Sequence, residues 1–434
     1  MKITKFFLMA ALALTFAACS SDDRSALPLD PVKNDIQNSP QPAKAEGITI
    51  TATLAPKSGG ADTRALTPGD NKIVASWAVG EKIAILYEKG GTNYEADAEI
   101  KSVDDSGAAT IEFSVESGTT DGTACKLIYP STAVNDAKKA EKSYTSMLAS
   151  QNGELNANFD VRVGAGTIHT TKPSLDVTTQ PAPQYSIFKF AVKDLSDTNL
   201  SVSSFEVSNS LASITTVSLA SAKSEFYVAL PTLTAYTYWF SATADGKNYV
   251  AKAVVSKDTE AGKYYQSTVQ MATVGDVILS DGKFAKASST GTKVAMVAYV
   301  RSEIDHGYRH GLAIAMTDDE INEADLSAAE NICKSKNTTV PVSSSEWVLP
   351  SKDQWENMFK ANGGNSSSYT GLNTALKTAG GDPLKMGIYN TFTEVLDETV
   401  STQMVLDDSI LLNGVKFAIL RNANIYYVRA CLAF

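Results

Sequence analysis

Few side chains in this sequence can do chemistry. The 434 residues include three histidines and four cysteines, little material for a metal or redox centre. His306 and His310 stand four apart in a stretch that also holds Gly307 and Gly311. Paired histidines bind zinc when a third ligand completes the set. The glycines speak for a loop and the spacing fixes no third ligand, so a solvated loop and no metal are expected. Asp318-Asp319-Glu320 reads as an acidic helix N-terminus, favourable with the dipole. Ser368-Tyr369-Thr370-Gly371 lacks the spacing of a nucleophile elbow. No glycine-rich phosphate loop follows a strand. Cys125 lies in an apolar strand and reads as a buried thiol. With no catalytic set, neither an enzyme nor a cofactor is expected.

Composition excludes more. At 43% hydrophobic and 20% charged, the chain is too apolar for global disorder. Lys+Arg 38 against Asp+Glu 48, a net charge of −10, leaves no cationic surplus for phosphates, which argues against nucleic-acid binding. Beyond the N-terminus no apolar run is long enough to span a bilayer. The N-terminus itself has Lys2 and Lys5 before an apolar stretch from Phe6 to Phe16, the pattern of a signal peptide. Phe16-Ala17-Ala18-Cys19 resembles a bacterial lipobox, with Phe16 where leucine is usual. The resemblance implies removal of residues 1–18 and lipidation of Cys19, two acyl chains giving a membrane affinity that one chain does not. Ser20-Ser21-Asp22-Asp23 resembles an export signal of surface lipoproteins of Bacteroidota type. Losing Lys2 and Lys5 makes the remainder two units more acidic, so covalent lipid rather than a basic patch must anchor it.

Residues 19–45 are polar and proline-dotted, as in a disordered tether. Strands follow. Ile48, Ile50, Ala52 and Leu54 alternate with threonines, the period-2 pattern of a half-buried strand. Further strands are expected at 82–88, 94–103, 110–115 and 125–130, separated by glycine-containing turns. Such closely spaced strands predict a β-sandwich over 46–172. Residues 172–184 read as a linker, and six more strand patterns predict a second sandwich over 173–273. From about Gly275 helical periods appear: Leu326, Ala329 and Cys333 on one face, and a capping box, Ser351 to Gln354, ahead of Trp355, Met358 and Phe359. Residues 274–434 are therefore expected to form a separate α+β unit.

The first two units resemble the fimbrillin family of lipoprotein pilins. The resemblance is carried by the lipobox, the tether, the alternating first strand, Thr63-Arg64-Ala65, and Trp77-Ala78-Val79-Gly80-Glu81-Lys82-Ile83. The last stretch is similar to a W-x-x-G-D-x-I pattern with Glu81 at the aspartate position. The resemblance implies cleavage between Arg64 and Ala65, loss of the first strand, and filling of the vacated groove by a strand of another subunit, a form of β-augmentation. Gly59-Gly60 supplies a flexible approach for a protease. Arg24 is a competing site, but a cut there releases only the tether.

The C-terminal unit resembles C-type-lectin-like domains of bacterial surface proteins. Gly275-Asp276, Ser280-Asp281-Gly282, Trp347-Val348-Leu349-Pro350-Ser351 with Trp355, and Val428-Arg429-Ala430-Cys431-Leu432-Ala433-Phe434 carry the likeness. It implies that the unit's first and last strands pair. It also implies a disulfide between Cys333 and Cys431, worth on the order of 4–5 kcal/mol in the chain-entropy model, with two buried reduced thiols as the alternative. The calcium–sugar tripeptides of animal lectins are absent. Trp347 and Trp355 could stack on a sugar, but their strand-end and helical positions read as core, leaving the ligand-binding residues unknown.

The expected protein is mainly β: two tandem fimbrillin-like β-sandwiches followed by a C-type-lectin-like α+β domain. The expected function is a surface fimbrial tip or accessory adhesin, anchored in the outer membrane by lipid. Its partners would be other subunits, by strand exchange, and a glycan or protein ligand. The alternative is a non-polymerising lipoprotein that captures glycans.

Overall fold

The computed structural model describes residues 47–57, 67–69, 72–209, 212–301, 310–321, 326–336, 346–364, 368–395, 398–407, 414–418 and 426–434. Cys19, Arg64, Ala65 and His306 lie outside them.

The N-terminal strands do not form two facing sheets. They close into a seven-stranded barrel in the order Ile48–Leu54, Ser174–Pro183, Arg162–His169, Thr123–Tyr129, Lys82–Lys89, Thr92–Val103, Ala109–Val115. Its interior is filled by alternate side chains, among them Ile50, Leu54, Ile83, Ile85, Ile100, Ile111, Phe113 and Leu127. The stretch expected to be a linker, 172–184, is a barrel strand, Ser174–Pro183. It pairs with Arg162–His169 through two register shifts that lead up to Pro181 and Pro183. Bulges let prolines sit in a ladder that they would otherwise interrupt. Gly164 permits the close approach: a Cβ there would lie 2.7 Å from the Thr179 carbonyl oxygen. The barrel thus runs to Pro183, eleven residues past the boundary expected at 172.

The second unit is a sandwich. A three-stranded sheet (Glu225–Leu230, Ser186–Asp194, Tyr264–Met271) packs on a five-stranded one (Lys247–Val254, Thr237–Ala244, Val202–Ser208, Ser213–Lys223, Ser150–Gln151). Phe190, Phe205, Phe226 and Phe240 meet between the layers at ring separations of 5.0–6.3 Å. The edge strand Ser150–Gln151 comes from the N-terminal segment. Buried Gln151 fixes it: its side chain accepts from the Ala229 N–H at 2.9 Å and donates to the Ala229 carbonyl at 2.8 Å.

The C-terminal unit is α+β. One five-stranded sheet runs Phe284–Ala285, Val277–Leu279, Lys293–Val300, Gly311–Ala315, Cys431–Ala433. The other runs Asp319–Ile321, Tyr426–Val428, Gly387–Val395, Glu398–Asp407, Gly414–Ala418. The expected pairing of first and last strands is not made. Val277–Leu279 and Cys431–Ala433 share a sheet, with two strands between them. The helix Lys352–Ala361 begins on the expected capping box and buries Trp355, Met358 and Phe359. On the helix Leu326–Lys336, Ala329 and Cys333 are buried, while the side chain of Leu326 is outside those described.

Candidate functional site

The strand Ile48–Leu54 closes the barrel. Its threonines face outward, and Ile50, Ala52 and Leu54 face inward with 0%, 8% and 0% exposure. Its two edges are held unequally. On one side seven residues pair antiparallel with Ala109–Val115, from Ile48 opposite Val115 to Leu54 opposite Ala109. On the other, a single parallel pair, Thr51 with Ser174, completes the circle. The remaining six strands form a continuous sheet without it. Burying Ile50 and Leu54 contributes roughly 1.5–3 kcal/mol each, so the strand is firmly seated.

Beyond Leu54 the chain enters a second, polar anchorage built by the Trp77–Ile83 motif. The Trp77 indole Nε1–H donates to the Ala55 carbonyl at 2.9 Å. Gly80 turns the chain at φ +86°, a left-handed backbone that glycine adopts without strain. The Gly80 N–H donates to the Ile100 carbonyl at 2.9 Å. Glu81 closes the turn by accepting the Ala78 N–H at 3.0 Å, and its other oxygen accepts the Tyr129 hydroxyl at 2.7 Å. Ile83 then enters the barrel core. The order W-x-x-G-E-x-I thus encodes an indole, a turn, an acid and a core residue.

Lys57 sits inside this arrangement, 4% exposed. Its ammonium lies 3.6 Å from the Tyr129 ring centroid and 4.2 Å from that of Trp77. Asp160 Oδ2 is 3.0 Å away and Glu81 Oε2 3.6 Å. Arg162 Nε donates to the other Asp160 oxygen at 2.6 Å. Two cations and two carboxylates therefore balance in a site walled by aromatic faces, which attract cations. Burial pulls the Lys57 pKa below its ordinary value, while Asp160 and Glu81 oppose the fall. Burial and the Glu81 hydrogen bond push the Tyr129 hydroxyl well up, so it remains a donor. Sequence reasoning missed Lys57, Asp160 and Arg162. Lys57, standing before Ser58-Gly59-Gly60, looks like part of a solvated linker.

The other expected sites resolve differently. Cys333 and Cys431 are brought into one apolar cluster, where both stand as buried free thiols, the alternative to the disulfide that the resemblance implies. Burial pushes the Cys333 thiol up to about 12 and that of Cys431 further, so both stay protonated and unreactive in the folded protein at neutral pH. Cys431 instead points its Sγ at the Gln354 side chain, 3.6 Å away. Cys125 is a buried thiol with its pKa also near about 12, in line with its strand position. Trp347 and Trp355 are 4% and 0% exposed, core residues rather than a sugar platform.

Two local readings are corrected. His310 is not solvated but 1% exposed. It stacks on Trp239 at 5.1 Å, and its Nδ1 is 3.2 Å from Ser241 Oγ, because the second sandwich covers it. Asp318-Asp319-Glu320 does not open a helix. Asp319–Ile321 is a strand, and Asp318 is the buried partner of Arg429 (2.5 Å) and of the Tyr389 hydroxyl (2.9 Å). Among the described residues no group of three or more His, Cys, Asp or Glu could hold a metal ion.

No protein-family model matches the chain, and no curated protein matches it. Among solved structures, the chain is similar to a fimbrial protein from Bacteroides ovatus at 11% identity and a TM-score of 0.26, covering 90% of this chain and 99% of that one. A fimbrial assembly protein from Parabacteroides distasonis matches at 14% identity and a TM-score of 0.29, covering 51% of this chain and 90% of that one.

Proposed function

We propose that this chain is a surface fimbrial subunit of the fimbrillin type, placed at a tip or in an accessory position and used for adhesion. In this reading Cys19 is lipidated and the protein is exported to the outer surface. A protease then cuts between Arg64 and Ala65, the first strand departs, and a strand from another subunit enters its place. The observation that carries the reading is the seating of Ile48–Leu54. One strand fills a core position, closes the barrel, and is registered along one edge by seven pairs but along the other by one. Its loss leaves an apolar groove and the unpaired backbone edge of Ala109–Val115, and both require a replacement strand.

The C-terminal unit, read as C-type-lectin-like, would engage a glycan or protein ligand without calcium. Its strand Cys431–Ala433 is held by Gly311–Ala315 and so is not free to be donated to a neighbour. In this reading the subunit accepts a strand and keeps Cys431–Ala433 in its own sheet, which suits a tip or accessory place. Expression of an Arg64→Ala chain in the producing cell tests the reading: mature length should increase and assembly should cease. Unchanged length and assembly would refute cleavage at Arg64, and an uncut, permanently lipidated protein would favour a solitary glycan-capturing lipoprotein.

A further inference from the structure

We propose that the site holding the Lys57 ammonium is a cation-selective pocket of the groove, and that a strand entering from a second subunit must bring a lysine-like cation three residues beyond its last inward side chain. The proposal rests on the strand-exchange reading above. Lys57 belongs to the same short stretch as Ile48–Leu54, so when that strand leaves, its ammonium leaves with it. Asp160, Glu81 and Arg162 stay behind on the barrel, and the site then carries one uncompensated negative charge between the Trp77 and Tyr129 faces. An apolar occupant would seal that charge away from water with too few partners, an arrangement that is strongly unfavourable. An acidic occupant would double the charge. Selection therefore works by rejecting wrong strands as well as by holding the right one.

The pocket also answers a problem of register. A strand with alternating inward and outward residues can slip by two positions without turning its apolar face outward. Groove burial alone does not forbid such a slip. A two-residue slip carries a side chain about 6.6 Å along the groove, so the cation loses its seat 3.0 Å from Asp160 and 3.6 Å from the Tyr129 ring centroid. The pocket lies at the end where Leu54 pairs with Ala109, so it fixes direction as well as register: a reversed strand would put its cation at the Val115 end.

The test uses the full chain carrying a site-specific protease sequence at residues 59–63. After one cut, the released but still seated first strand is displaced by fluorescent peptides of residues 47–57. Three peptides are compared: the natural sequence, Lys57→Met, and one with Ala55 and Lys57 exchanged (Ala55→Lys with Lys57→Ala), which keeps the composition. The natural peptide should displace the strand at a concentration at least tenfold lower than either variant, read from the fluorescence anisotropy of the labelled peptide. Equal displacement by all three would overturn the pocket while leaving strand exchange intact. Failure of every peptide to enter would overturn strand exchange, and the pocket's role with it.

Discussion

Replacing Trp77 by phenylalanine should loosen one strand and little else. Three contributions are lost. The Ala55 carbonyl loses its indole donor at 2.9 Å, about 1 kcal/mol for a partly buried hydrogen bond. The Lys57 ammonium, 4.2 Å from the indole centroid, keeps a weaker aromatic face, about 0.5 kcal/mol. The smaller ring leaves unfilled space in a 4% exposed position, about 1 kcal/mol. The sum is about 2–3 kcal/mol, or roughly a 30- to 150-fold increase in the open population. Native-state hydrogen exchange reads this directly. Amides of Ile48–Leu54 and of Ala109–Val115 should exchange faster by that factor, while amides between the layers of the second sandwich, such as those of Phe205 and Val228, keep their rates. Equal acceleration throughout, or none at the first strand, would refute the idea that Trp77 acts on that strand.

Other consequences follow from the same geometry. Leu54→Ala should cost about 2–5 kcal/mol, whereas exposed Thr53→Ala should stay within about 0.5 kcal/mol; urea melts of the two separate the inner face from the outer. Arg429→Met strands Asp318, whose side chain is 1% exposed, and should cost about 3–5 kcal/mol by the same assay. Cys125, Cys333 and Cys431 should resist thiol reagents in the native protein and all react once it is denatured. Their pKa values, about 12 for the first two, lie above the unfolded thiol's ~8.5. Between those limits the unfolded chain holds fewer protons, so thermal stability should fall as pH rises from about 8.5 toward 12, and Cys333→Ser should lessen that slope.

The regular elements were the legible part. Ile48–Leu54 was readable because one barrel wall is buried and the other wet, which writes a period of two into seven residues. The capping box at Ser351 was readable because both partners lie within one turn. Proline, glutamine and threonine at 178–183 read as a linker because bulges that accommodate them depend on Gly164, far from them in the local pattern. The barrel itself was not legible, since closure rests on a single pair between Thr51 and Ser174. His310 looked solvated because its cover, Trp239 and Ser241, comes from another unit. The W-x-x-G-E-x-I stretch was visible as a motif, but its purpose was not. That needed Lys57 and Asp160, one on each side of it in the chain and brought together only by closure of the barrel. The two thiols, far apart in the chain, were placed near each other by the resemblance, and one apolar cluster holds both.

The most direct measurement is the intact mass and N-terminal sequence of the protein taken from the surface of producing cells. Exchange of the first strand predicts a mature chain that begins at Ala65 and lacks residues 47–57. A chain that begins at a lipidated Cys19 and keeps Ile48–Leu54 in the barrel would contradict it.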